Sequence, residues 1–311
     1  MRIPHFNALT GLHWRRWTRR EEKAANLRMD DELLISAGLL SSAPFAAGKI
    51  GTSELMVLEY FDRRIRLPWP ESASWLRPAK RLFENSGFFP LRKNCFKKWK
   101  SLYQDALQCL DVVAAWQPVG TYLSAYEDRA LTRYVGQANR VSLSALHPVH
   151  PPASWLAELS LLRWLVISPF EKTISSQLGQ LERLGFFPPR AVPNLAQVRA
   201  DCRILRCPQF SYLEKPKHRD WFETLEEMKT QMDSMSFDVA LVGAGAWSIP
   251  LLAHAKNRGK KGLHLGGQLQ LLFGIKGGRW DRADIYNPFW IRPLPEERPE
   301  NFKRMEHGAY W

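Results

Sequence analysis

The chain has 311 residues, 45% of them apolar and 24% charged. That composition excludes a disordered or fibrous protein and gives enough length for one large domain or two small ones. Lys and Arg number 44 against 31 Asp and Glu, a net charge of +13, which favours an anionic partner such as nucleic acid, a membrane surface or a phosphorylated ligand, and also serves plain solubility.

The N-terminal run MRIPHFNALTGLHWRRWTRREEK has no apolar core of the kind a signal peptide needs. Residues 33–47 are apolar but are broken by Ser36, Ser41, Ser42 and Pro44, too short a run to span a bilayer. A cytoplasmic protein is expected. Trp14 and Trp17 among four arginines allow peripheral contact at the inner face of the membrane, although a plain solvated helix end is the preferred reading.

Acid at Asp30, Asp31 and Glu32 marks a helix start, with the helix over 32–40. A strand is predicted over 45–50. Thr52 or Ser53 then caps a helix carrying Leu55, Leu58 and Tyr60. Residues 63–150 read as a helical insertion: irregular and rich in Pro and aromatics to about 92, then helical over 94–116 and 122–134. HPVHPP, 147–152, is a loop with two imidazoles, open to a metal but with no Cys or acidic partner close by. Further helices are predicted over 155–162, 171–184, 220–235, 247–256 and 268–273. Strands are predicted over 163–168, 204–207, 237–243 and 262–265. Residues 186–193 read as turns. Residues 282–311 read as an irregular segment whose end, Tyr310-Trp311, packs down.

About five strands alternating with helices imply a three-layer α/β fold with a mostly parallel, Rossmann-like sheet. One domain over 1–311 is expected, with the insertion at 63–150. Cys95, Cys109, Cys202 and Cys207 form no CxxC pair, so free thiols are expected.

In such sheets ligands bind where strands end. GAGAWS, Gly243 to Ser248, partly matches the dinucleotide fingerprint, with Ser248 in the third glycine place. That fingerprint wants an acid about twenty residues on, where this chain reads KKGLHLGG. A nicotinamide or flavin cofactor is therefore disfavoured. GGQLQLLFGIKGGRW, Gly266 to Trp280, combines five glycines with Lys276 and Arg279. Close backbone approach and two cations suit a phosphate, and Trp280 offers a face for a base or sugar. Gly48 to Glu54 sets a carboxyl at the start of a helix, either as a dipole partner or as a base or metal ligand. SPFEKT, Ser168 to Thr173, is a fourth strand end, where Glu171 or Thr173 would line the same crevice. The sharpest expectation is that Gly48–Glu54 and the 237–280 stretch form opposite walls of one crevice.

FDVALVGAG (237–245), GGQLQLLFGIKGGRW (266–280) and the closing GAYW resemble bacterial proteins of polysaccharide gene clusters, grouped with the GT-D type of glycosyltransferase. GKIGTSEL (48–55) resembles their N-terminal motif, and LVISPFEKTI (165–174) their middle strand. The resemblance covers roughly residues 30–311, with the insertion poorly matched. It implies transfer of a sugar from a nucleotide-diphosphate sugar to a glycan or lipid-linked acceptor in surface polysaccharide or glycoconjugate synthesis. It also implies a DxE motif holding a divalent ion, Mn2+ or Mg2+, beside the diphosphate. Here that motif reads Thr52-Ser53-Glu54, so one carboxylate remains. Glu54 is the implied catalytic residue and metal ligand. The nucleotide-sugar site is expected at Gly48, Gly51, Ser53, Ser168, Gly243, Gly245, Gly266, Gly267, Gln270, Lys276 and Arg279. The rival reading is a non-catalytic basic protein binding nucleic acid or an anionic glycan. Against it, the cations are scattered and no nucleic-acid module is recognisable.

Overall fold

The computed structural model describes residues 30–62, 74–115, 122–149 and 152–311. The N-terminal tryptophans and arginines, and His150, lie outside the described residues.

Helix α1 covers residues 30–40. It leads into β1 (Phe45–Lys49) and α2 (Thr52–Asp62). Then come α3 (Leu76–Ser86), α4 (Lys93–Leu107), β2 (Val112–Ala115), α5 (Tyr122–Val135) and β3 (Asn139–Ser142). The short α6 (Leu156–Leu159) precedes β4 (Trp164–Ser168), α7 (Glu171–Gln177), α8 (Leu195–Asp201) and β5 (Arg203–Arg206). The last third holds α9 (Trp221–Asp233), β6 (Val239–Val242), α10 (Ser248–Asn257), β7 (Lys261–His264) and α11 (Leu269–Leu272). Residues beyond 277 form short 3-10 turns and one isolated bridge, from Ile291 to Ile275.

The seven strands among the described residues make one sheet in the order β3-β2-β1-β7-β6-β4-β5, and every pairing is parallel. A parallel sheet is covered on both faces, so its strands read as apolar runs. Alternate residues divide accordingly. Ala47, Val112, Val166, Leu241 and Leu263 face a core with α1, α6, α7, α8 and α11. Ala46, Val113, Ile167, Ala240 and Val242 face the core built with α2, α3, α4, α5, α9 and α10. The three-layer, Rossmann-like class inferred from the β-α alternation is the one observed.

Several predicted elements are corrected. The stretch 63–150 is no purely helical insertion, because it supplies β2 and β3 to the sheet. The helix predicted over 94–116 ends at Leu107, and VVAA continues as a strand buried beside β1. Four apolar residues following a helix match either periodicity. The turn region past 186 runs into an unforeseen helix, α8. The helix predicted over 171–184 is α7 followed by a 3-10 segment from Leu178 to Leu184.

One buried carboxyl sits badly in this core. Glu59 on α2 is 1% exposed, and neither of its oxygens has a hydrogen-bond partner. Burial, opposed by the Arg129 charge, pushes its pKa from 4.5 up to about 8. The unfolded chain releases this proton first, so folding stability falls as pH rises from about 4.5 to about 8. Glu59→Met keeps the volume and removes the charge. We expect it to raise stability at pH 8 by something on the order of 3 kcal/mol and to flatten the acid-to-neutral slope in urea titrations. An unchanged slope would clear Glu59 of that role.

Candidate functional site

All strands point the same way, so the turns after β1, β4, β6 and β7 open on one edge of the sheet. Two of them meet directly. A Cβ on Gly243, after β6, would stand 2.7 Å from the carbonyl oxygen of Gly266, after β7. β1 is the neighbour of β7. The glycine turns of the 237–280 stretch and the 48–54 turn therefore share one edge, as the motifs led us to expect.

Lys49 is the last residue of β1 and is only 5% exposed. Its ammonium donates to Gln268 Oε1 at 3.3 Å. Gly266, with φ +58°, brings its backbone so close that a Cβ would lie 3.2 Å from Lys49 Cε. Burial, with the Arg279 charge adding, lowers the Lys49 pKa from 10.5 to about 7. The end of β7 contributes His264, whose Nδ1 pairs with the Val242 carbonyl at 3.2 Å. Burial and the Lys49 charge push its pKa down to about 3, so the imidazole is neutral at physiological pH. Neither side chain was singled out from the sequence. The available signal was a lysine closing an otherwise apolar strand run, FAAGK.

Glu54 occupies the third position of α2 and folds back over Gly51, where a Cβ would meet its Oε2. The helix starts at Thr52, so Gly51, rather than Thr52 or Ser53, holds the capping position. Glu54 is buried. Burial raises its pKa, a hydrogen bond from Ser86 opposes the rise, and the Glu306 charge adds to it. Ser86 itself is pinned: Gly245, at φ +54°, would put a Cβ 2.5 Å from the Ser86 carbonyl oxygen.

Residues from the last segment of the chain close the edge. Arg279 donates to Glu306 and to the Tyr310 hydroxyl. Its guanidinium lies 4.8 Å from the Tyr310 ring centroid. The Tyr310 ring rests on Gly267, where a Cβ would come within 2.3 Å of Cε1. The Arg279 side chain keeps 39% of its surface exposed.

The other expected site residues are placed differently. Gly48 and Ser53 are packing positions: Gly48 lies against His264 and Ile249, and Ser53 is buried in the first turn of α2. Gln270 is buried, with its amide nitrogen on the Ile275 and Tyr310 carbonyls at 3.2 and 3.3 Å. Its Oε1 has no partner. Lys276 leans elsewhere, its ammonium 5.5 Å from the Tyr286 ring centroid. Trp280 is 7% exposed, so its indole packs in the core and presents no open face.

The turn after β4 differs from expectation. Ser168 Oγ accepts from Phe170 N at 3.2 Å within the turn. Thr173 is fully buried. The carboxylate of Glu297 takes the N–H groups of Lys172 and Thr173 at 2.7 and 3.0 Å, together with the Thr173 hydroxyl. The place where α7 would receive an anion is filled by the chain's own acid.

The donor set at this edge does not fit a divalent ion. Glu54 is hydrogen-bonded to Ser86, the residue two before it is Thr52, and the described residues contain no group of three His, Cys, Asp or Glu able to hold a metal. His147 accepts from Val149 N at 3.4 Å within its own loop. No helix among the described residues is long and apolar enough to cross a membrane.

Comparison with known proteins finds no matching family model, no matching curated protein and no matching solved structure. A functional reading has to come from the site itself.

Proposed function

We propose that the chain is a glycosyltransferase that moves a sugar from a nucleotide-diphosphate sugar to a glycan or lipid-linked acceptor. One observation carries the reading: Lys49, Arg279, Glu54 and the Gly266-Gly267 turn gather at one edge of a parallel sheet, the edge where such folds take nucleotides. The motif resemblance supports it from a separate direction.

In this reading the C1–oxygen bond to the diphosphate breaks as the acceptor oxygen bonds to C1, and the acceptor's proton leaves to a base. Charge builds on the departing diphosphate, and fixed cations in a dry site stabilise that charge. Arg279 is the standing cation for this, and Lys49, its pKa lowered to about 7, takes up its proton as the anion binds. The diphosphate competes with Glu306 for Arg279. Glu54 is the carboxyl placed to receive the proton, and its buried setting raises its basicity.

A panel of nucleotides and nucleotide sugars, tested by thermal shift with and without Mn2+, checks the ligand class. A native-state ligand raises the melting temperature, and a nucleotide-diphosphate sugar should do so without added metal. Glu54→Gln should still bind the stabilising donor and keep its fold but lose turnover by about a thousandfold. Normal turnover in that variant removes Glu54 from the chemistry. No shift with any donor sinks the reading as a whole.

A further inference from the structure

Two neighbouring helices carry charge that their own stability does not call for. Residues 76–101 hold eight Lys or Arg and the single carboxylate Glu84. Neither α3 nor α4 has an acid in its first turn. Lys93 and Lys97 stand exposed in the first half of α4, where the helix dipole disfavours cations. Lys80 is exposed on α3. The helices adjoin: Trp75, before α3, lies 5.9 Å from Phe96 of α4 between ring centroids, and α2 touches both. The acids of α2 offset little of this charge. Glu54 and Glu59 are buried, and Asp62 is paired with Arg133 and feels only Lys100 of the eight. Beside the cations sits an apolar residue left in water, Leu76, 37% exposed. It lines a shallow depression with Ser74, Arg77, Lys80, Arg81 and the one carboxylate Glu84.

We propose that the outer surface of α3 and α4 docks the protein onto an anionic phospholipid bilayer. Lysines act as point charges and suit a fluid anionic surface that presents no fixed geometry. An apolar side chain among them can enter the headgroup layer. A single-stranded nucleic acid would want aromatic platforms, but Phe88, Phe96 and Trp99 of this region are buried. The inference does not depend on the glycosyltransferase reading, since it rests on a surface outside the strand-end site.

Flotation with vesicles tests it, using pure phosphatidylcholine against a phosphatidylcholine–phosphatidylglycerol mixture. The full chain should float with the mixed vesicles, detach as salt rises, and ignore the neutral ones. Lys80→Glu, Lys93→Glu and Lys97→Glu together should weaken partition by about a hundredfold or more. Arginine at the same three positions should retain it, which separates charge from folding. Equal binding to neutral vesicles, unchanged partition of the charge-reversed protein, or loss of the arginine version's binding with its fold intact would each overturn the proposal. Displacement from the vesicles by an oligonucleotide of matched charge would overturn it too, in favour of nucleic acid.

Discussion

Lys49→Met is expected to make the protein more stable and to weaken its hold on a diphosphate. The two effects come from one cause. An amine held in a dry site is ready for an anion, and keeping it there works against folding. In the folded chain its pKa is about 7, against 10.5 when unfolded. Below about 7 both states hold the proton and the cost of burying the charge is felt in full. Between about 7 and 10.5 the folded state sheds the proton first, so wild-type stability rises with pH across that window. The methionine variant lacks the ionisable group. It should be more stable at neutral pH by something on the order of 2–4 kcal/mol and nearly flat over the same window. Losing a charge-assisted contact should weaken inorganic pyrophosphate binding by about a hundredfold. Urea titrations at several pH values and calorimetry with pyrophosphate read the two halves. A variant that loses stability, or binds pyrophosphate as before, removes Lys49 from the anion site.

Gly245→Ala should be among the most damaging single changes in the chain. The position has φ +54°, and an added Cβ would stand 2.5 Å from the Ser86 carbonyl oxygen. Backbone on both sides leaves little room to give. Strain and overlap together should cost about 3–5 kcal/mol. Gly259→Ala is the internal control. Its φ is +75°, but nothing lies within 4 Å of the added carbon, so only the backbone preference is lost, about 1 kcal/mol. Similar destabilisation at both sites would mean that the contact with Ser86 gives way easily. Because Ser86 also holds Glu54, Gly245→Ala should disturb the carboxyl as well as the fold.

The strands that frame the site were legible because each is an apolar run stopped by Gly or Ser: FAAGK, WLVIS, VALV and KGLH. β2 and β3 were not. VVAA follows a helix after only Gln108, Cys109, Leu110 and Asp111, with no Gly or Pro to mark the change, and NRVS is an edge strand with three exposed residues. Within the site, Glu54, Arg279 and the glycines could be named from their motifs. Their partners could not. Glu297, Glu306 and Tyr310 come from a segment with no periodicity, and tertiary packing alone decides what it covers. The same limit explains Lys276 and Trp280. A cation and an aromatic beside glycines suit a phosphate site, yet here one rests on Tyr286 and the other fills the core.

The central pairing of the sheet also sets a timetable. β1 ends at Lys49, and its neighbour β7 begins at Lys261. On a ribosome the two are separated by roughly 10–40 s of synthesis. Throughout that interval one side of β1 lacks its ladder partner. The long loop that must close between them slows the search further. Lys49 therefore stays hydrated until β7 and its Gly266 turn arrive. The proposed anion site and the middle of the sheet are completed in the same event, so on this reading a nascent chain gains its ligand site only as its fold is finished.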